Sequence, residues 1–367
     1  MIDYYYTLDD AIVYFTNRVA KTTVKEYYEA LASKHPELKK QLEQILAPSL
    51  ELERLLDAAI PNMDQECEFF FGLDRSTEGN SQPLWNAAGM LLGYSAGLSL
   101  SPQSLDEAIE KRLALSPAQK DKLFLSYMFD LEDTGVKALL ADAGKKGCIT
   151  EALSVSRLNS LTRIKLHELY DHFAEHIKRL AELLRPAVET IEKSTAVYEA
   201  AALEQASRFE AAGGLAAYMI SNHSFHLNDT GSHIAHISVL APHTVNIRDG
   251  IFDSMDIYVG IGVVELSRIL LQGSESEHLS AMFKLLSDAT RLEMLKCISE
   301  RPMYGQELVE KFSVTAPTVS YHMTKLVLSG LAESYFEGGK SYFRANMKGI
   351  LALEKSFRDY FATNTKR

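Results

Sequence analysis

Residues 313–331, near the end of the chain, read SVTAPTVSYHMTKLVLSGL and carry the clearest structural pattern in the sequence. The first three residues form a polar turn, and Thr315 is a residue type that caps helix N-termini. Pro317 falls in the first turn of the following helix, where its missing N–H is not needed. Gly330 is typical of the residue that ends a helix. The stretch therefore predicts a turn followed by a helix over residues 316–329.

Predicted elements on both sides of this stretch complete a compact α/β module. They are helices over 277–286, 289–299 and 304–312 before it, and strands over 331–336 and 341–345 after it. The pair Ser287-Asp288 provides a capping residue for the second of these helices. The buried stripe of that helix is predicted to be Leu292, Leu295 and Ile298. The two strands flank a glycine turn with Lys340 at its tip, and a helix-turn-helix followed by such a hairpin is a winged helix.

The phase of the helix over 316–329 separates a buried face from an exposed one. Val319, Met323 and Leu326 recur at helical spacing and are predicted to face the core. The opposite face carries Ala316, Pro317, Thr318, Ser320, Tyr321 and Thr324. An α-helix fits the major groove of duplex DNA, so we expect these residues to contact base edges. Because this face lacks Arg and Gln, we expect base discrimination that is modest or partly based on DNA shape.

Four cations are predicted to contact DNA phosphates, namely Lys325, Lys340, Arg344 and Arg291. The whole chain has a formal net charge of -11. Residues 273–367, however, hold 13 Lys and Arg against 11 Asp and Glu, which leaves +2 there and -13 over residues 1–272. An acidic body repels DNA and leaves one end to approach it. This asymmetry permits DNA binding, while a winged helix that docks only proteins stays an alternative.

Residues 1–272 read as a large, mainly helical regulatory domain, and the domain boundary is placed at 273–276. The longest helical pattern covers 163–211. Segments with period-two spacing, rich in Ile and Val, predict strands of a small sheet at 233–240, 243–248 and 255–261. The expected fold class is therefore mostly α (α+β), with a winged helix-turn-helix over 273–367.

Composition argues against membrane and secreted classes. No segment has the roughly 18 uninterrupted apolar residues of a membrane span, and the first eight residues carry no basic region typical of a signal peptide. Cys67, Cys148 and Cys297 are too widely spaced for a disulfide framework. We therefore expect a cytoplasmic protein with no membrane partner.

One motif supports a different class of function. The residues His172, Glu175 and His176 match the His-x-x-Glu-His pattern of some zinc peptidases, in which two histidines share one metal and the glutamate acts as a base. The alternative function is thus a metal-dependent hydrolase with an appended winged helix. A charged, solvated helix face explains the same residues more simply. Because no nucleotide-binding loop or nucleophile elbow is present, we expect no enzyme activity, cofactor, catalytic residue or metal ligand.

Two segments closely resemble the ArsR/SmtB family of bacterial regulators. They are LSDATRLEML at 286–295 and the stretch at 313–331, and together they cover about the last quarter of the chain. The resemblance implies a transcriptional regulator that binds a roughly palindromic operator on double-stranded DNA. It also implies a homodimer formed largely by the helices over 277–286 and 348–362.

The chain departs from the metal-sensing members of that family. The segment that matches their thiolate motif, 306–311, contains no Cys, and residues 348–365 contain no His. By implication, the domain over 1–272 receives the signal from an unidentified effector, and the chain acts as a ligand-responsive repressor. We expect a ligand to change operator affinity in the full chain but not in residues 273–367 alone.

Overall fold

The computed structural model confirms the mostly helical class with small sheets and a C-terminal winged helix-turn-helix. It describes residues 7–72, 86–92, 104–129, 134–156, 158–215, 217–219, 225–226, 232–249, 254–271, 275–312, 314, 316–337 and 340–362. Within these ranges, no helix combines the length and the apolar character that crossing a membrane requires.

The chain folds into two compact units. The first comprises Met1–Gln205 and Gly231–Val263, and the second comprises Ala206–Thr230 and Val264–Arg367. The chain thus enters the second unit once before the first unit is complete, and the division into 1–272 and 273–367 stays a prediction. Spacing along a sequence does not reveal such a return of the chain.

The first unit consists mainly of helices, whose buried apolar stripes supply its core. They are α1 (Thr7–Ala20), α2 (Val24–Lys34), α3 (Lys39–Ala59), α4 (Gln65–Phe71), α5 (Ala87–Leu91), α6 (Leu105–Leu113), α7 (Pro117–Met128), α8 (Thr134–Ala141), α9 (Cys148–Val155), α10 (Ser160–Asp171), α11 (Phe173–Lys193) and α12 (Thr195–Ala211), with a 3-10 turn at Pro36–Leu38. The last helix continues into the second unit. The long pattern predicted over 163–211 is thus divided among three helices.

Two or three strands are predicted in the first unit, and three are present there in one sheet, in the order β2-β4-β3. They are β2 (Ser232–Ser238), β3 (Val245–Asp249) and β4 (Ser254–Gly260), with β2 parallel and β3 antiparallel to β4. Helix α1 is bonded to the turn after β2 because the Asp10 carboxylate accepts hydrogen bonds from Ser238 Oγ at 2.6 Å and from the backbone N–H of Val239 at 2.8 Å. Burial raises the pKa of this carboxyl to about 6.

The second unit carries the winged helix. Its elements are β1 (Phe225–His226), α13 (Val263–Leu271), α14 (Glu275–Leu286), α15 (Ala289–Glu300), β5 (Met303–Tyr304), α16 (Gly305–Phe312), α17 (Ala316–Leu328), β6 (Ala332–Glu337), β7 (Lys340–Ala345) and α18 (Met347–Ala362). The strands form a sheet in the order β1-β6-β7-β5, in which only β1 pairs in the parallel sense. The predicted hairpin is confirmed as β6 and β7. The two outer strands have two residues each, too few to produce a pattern in the sequence.

The core of this unit confirms most of the predicted buried residues and corrects one. Leu295 and Ile298 of α15 are buried, as predicted. Leu292 is not, since 47% of it is exposed. The inward face of α15 instead runs through Arg291, Met294, Leu295 and Ile298, at the spacing i, i+3, i+4, i+7. The predicted stripe starts at Leu292, one residue after the buried Arg291, because a charged residue is not expected in a core.

The end of α17 and the start of α18 approach so closely that only glycine fits. Gly330 has φ +74°, the left-handed conformation of a helix C-cap, and a Cβ on Gly349 would overlap its carbonyl oxygen. We expect Gly349→Ala to destabilise the protein by about 1–3 kcal/mol, the usual cost of overpacking. Chemical denaturation of the full chain measures this change.

Gly305→Ala is the matched control for that substitution. A Cβ at Gly305 meets no atom within 4 Å, and its backbone is in an ordinary helical conformation. We expect a change of less than about 1 kcal/mol there, in the stabilising direction. Equal effects at the two glycines would contradict the close approach.

Candidate nucleic-acid interface

Helix α17 has the two faces that its sequence predicts. Val319, Met323 and Leu326 are buried in the core of the second unit, where they pack with α15 and α16. The turn before the helix is described only at Val314, so the capping role predicted for Thr315 lies outside the described residues. Burial of this inner face determines which side chains of α17 face outward.

The outward face of α17 carries Tyr321, with 49% of its surface exposed, and Thr324, which is also exposed. Thr318 and Lys325 are half-buried. The side chains predicted at Ala316, Pro317 and Ser320 lie outside the described residues, although their backbone belongs to the helix. Helix α17 therefore presents an aromatic hydroxyl, a threonine hydroxyl and a cation within two turns.

Tyr321 and Lys325 interact along this face. The Lys325 ammonium lies 4.5 Å from the centre of the Tyr321 ring, which is the range of a cation–π contact. A hydrogen bond with Lys325 lowers the pKa of the Tyr321 phenol below its ordinary value. The pair combines a polarised hydroxyl, suited to a base edge, with a positive charge suited to a phosphate.

Arg291 does not lie at the outer surface, where a phosphate contact requires it. The residue is only 5% exposed. Its Nη1 donates to the carbonyl of Leu285, and its Nη2 lies 3.7 Å from Asp288 Oδ2. The guanidinium is thus held between the end of α14 and the start of α15. This placement disagrees with the predicted phosphate contact.

The cation of the wing hairpin has an acidic neighbour. Glu333 and Arg344 are cross-strand partners on β6 and β7, and Arg344 Nε donates to Glu333 Oε2 at 2.8 Å. The Arg344 side chain is nearly half exposed and so faces solvent while it is paired. Lys340 begins β7, and its side chain and the glycine turn before it lie outside the described residues.

Sequence reasoning missed His322, the residue that follows Tyr321. It is buried, and its Nδ1 lies 4.0 Å from Asp288 Oδ1. Burial lowers the pKa of His322. Asp288 also accepts the backbone N–H of Arg291 at 2.9 Å, as an N-cap does, which lowers the pKa of its carboxyl. The capping residue predicted at Asp288 thus also contacts the recognition helix.

Three phenylalanines form an exposed aromatic surface on the first and last helices of the winged helix. They are Phe283 of α14 and Phe357 and Phe361 of α18, and we call them the aromatic surface. The ring centres of Phe283 and Phe357 lie 5.2 Å apart, as do those of Phe357 and Phe361. Side chains of this size exposed next to one another are typical of a protein-binding surface.

The histidine motif of the first unit does not lie on one helix. His172 separates α10 from α11, with φ -107° and ψ 32°. His176 is buried against Phe69 and Phe70, and its ring centre lies 6.4 Å from that of His172. Among the residues that the structure describes, no group of three metal-ligating side chains comes together.

The fold and this face define the second unit as a winged helix-turn-helix of the kind found in DNA-binding transcriptional regulators. A model of the arsR family of bacterial regulatory proteins matches residues 288–334. The arsenical resistance operon repressor of Staphylococcus aureus is 36% identical over 70 residues, which are 19% of this chain and 67% of that protein. The chain belongs to the arsR family. It is a DNA-binding transcriptional regulator.

Other relatives match the same part of the chain. The transcriptional regulator KmtR of Mycobacterium tuberculosis is 35% identical over 72 residues, which are 20% of this chain and 55% of that protein. The arsenical resistance operon repressor of Staphylococcus xylosus is 36% identical over 70 residues, or 19% of this chain and 67% of that protein. No solved structure matches the chain.

We expect Lys325→Met to raise the pKa of Tyr321 toward that of a free tyrosine, because the substitution removes both the hydrogen bond and the positive charge. The measurement is NMR titration of ring-labelled tyrosines in the full chain, with Tyr321→Phe to assign the signal. Lys348→Met, on the exposed start of α18, is the control and leaves the titration unchanged. An unchanged pKa of Tyr321 in Lys325→Met would contradict the contact between the two side chains.

Proposed function

We propose that this chain is a sequence-specific, ligand-responsive repressor that acts as a homodimer in the cytoplasm and catalyses no reaction. The observation that supports DNA recognition best is the pair of faces on α17, one buried in the core and the other exposing Tyr321 and Thr324. The names of the Staphylococcus relatives support repression, in which the bound protein blocks transcription.

In the proposed complex, α17 lies in the major groove. Its residues toward the bases are Ala316, Pro317, Thr318, Ser320, Tyr321 and Thr324. Lys325, Lys340 and Arg344 contact phosphates and set the register of the helix on the duplex. Glu333 offsets part of the charge of Arg344.

We expect binding to duplex DNA that weakens as salt rises, because bound cations release counterions from the phosphates. The probe is a duplex selected from a random-sequence pool with the full chain. Lys340→Ala and Arg344→Ala each weaken binding and reduce the slope of log K against log salt by about 0.9 for each phosphate that the protein no longer neutralises.

Lys145→Ala removes one exposed cation from the first unit and is the control for these two variants. It leaves affinity and slope unchanged if binding is local to the winged helix. Absence of salt-dependent binding by the wild-type chain would overturn the proposed function and favour a role in protein contacts alone.

A homodimer is supported by the aromatic surface. A dimer that binds one side of the DNA needs its two α17 helices about 34 Å apart, the spacing of successive major grooves. A surface containing exposed Phe361, 58% of which faces solvent, gains free energy when a second copy excludes water from it.

We expect Phe357→Asp to weaken dimerisation at least tenfold, because the buried charge would lack a partner. Sedimentation equilibrium of the full chain measures this change. Leu161→Asp is the control, since Leu161 is exposed on α10 of the first unit. A wild-type chain that stays monomeric, or a Phe357→Asp chain that dimerises normally, would contradict this interface.

We propose the first unit as the receiver of the effector. Its size supports this assignment, as does the lack of Cys in 306–311 and of His in 348–365, where metal-sensing relatives would need ligands. An effector that binds one conformation better shifts the protein toward it and thereby changes the fit of the two recognition helices to the operator.

A further inference from the structure

The buried arginine of the second unit has a role that a phosphate contact does not explain. Burying a charge is costly unless it is paired and hydrogen-bonded. Arg291 donates to the Leu285 carbonyl at the end of α14 and lies 3.7 Å from Asp288, while its Nε has no hydrogen-bond partner among the described residues. Its side chain therefore connects the end of one helix with the cap of the next.

The same guanidinium reaches the recognition helix. Its central carbon lies 5.9 Å from the centre of the Tyr321 ring. Lys325 contacts that ring as well, at 4.5 Å. His322, the next residue along α17, faces Asp288 at 4.0 Å. We call Asp288, Arg291, Tyr321, His322 and Lys325 the junction cluster. Within this cluster, the buried Arg291 approaches the exposed Tyr321 ring from the protein interior.

Two cations beside one ring restrict where that ring can lie. The negative face of an aromatic ring attracts a guanidinium or ammonium group, and the attraction strengthens where water is excluded. Arg291 is held from below by Leu285 and Asp288, so its position does not depend on DNA. Tyr321 is thereby held in one orientation before it meets a base, which reduces the entropy that binding would cost.

We infer that Arg291 is a positioning residue, which fixes Tyr321 for base reading and so contributes to sequence discrimination without touching DNA. This inference rests on the proposed function. It separates Arg291 from Lys340 and Arg344, which are proposed to attract every duplex alike. A phosphate contact changes the salt dependence of binding, whereas a positioning residue changes the ratio between selected and unrelated DNA.

The test uses the full chain, a duplex selected from a random-sequence pool, and an unrelated duplex of the same length. Arg291→Lys keeps the charge and removes the planar fork that reaches both Leu285 and Asp288. We expect the ratio of affinities for the two duplexes to fall roughly tenfold, in line with the removal of a cation–π interaction and its anchoring. In Arg291→Met, which also removes the charge, we expect the slope of log K against log salt to stay unchanged.

A double-mutant cycle with Tyr321→Ala tests whether Arg291 acts through Tyr321. Coupled residues have non-additive effects, so we expect Arg291→Lys to reduce discrimination no further once Tyr321 is gone. Asp288→Asn is a second variant, for the case that Arg291→Lys does not fold. Asparagine still caps the helix, but the ionic partner of Arg291 is removed. We expect this variant to reduce discrimination in the same direction as Arg291→Lys.

Two results would overturn the positioning role. One is a reduced salt slope with unchanged discrimination in Arg291→Met, which removes the charge and would remove a phosphate contact with it. The other is additivity with Tyr321→Ala. A failure of the proposed function looks different from both results. In that case the wild-type chain itself shows no salt-dependent binding to any duplex.

Discussion

The burial of one face of α17 is the constraint on which the rest of the second unit depends. Three hydrophobic side chains of this helix are buried, namely Val319, Met323 and Leu326. Their spacing lets all three enter the core in only one orientation of the helix about its axis. That orientation exposes Tyr321 and Thr324. Because Tyr321 lies almost opposite the buried face, only a rotation of roughly half a turn would bury the tyrosine and expose the core residues, so hydrophobic packing determines which side chains face outward.

The electrostatics of this unit are local. Its small positive charge is spread over neighbours that partly neutralise one another, as Glu333 does for Arg344 and Asp288 for Arg291. A count of lysines and arginines therefore overstates the cations that are open to DNA. The charge that a residue presents to DNA depends on its cross-strand partner or on its burial between helices. Both are properties of the tertiary structure.

The sequence predicted well where a repeating pattern lies on one element. The helices at 275–286 and 289–300, the hairpin, and the three strands of the first unit follow from periodicity and turn residues. The sequence predicts less well the first buried position of a helix and strands too short to show a pattern of their own. Periodicity alone places Leu292 in the core, because the position that is buried in its place holds a charged residue, Arg291. Strands β1 and β5 have two residues each, and only pairing with another strand defines them.

By itself, the sequence determined the winged helix, the inner face of α17 and the family, because each depends on residues close together along the chain. Only the tertiary structure reveals the burial of Arg291, the pairing of Glu333 with Arg344, the burial of His322 and the separation of His172 from His176. Charged and polar side chains are the ones whose environment is set by elements distant in sequence. Their free energy depends on burial and on partners, and neither is encoded in local spacing.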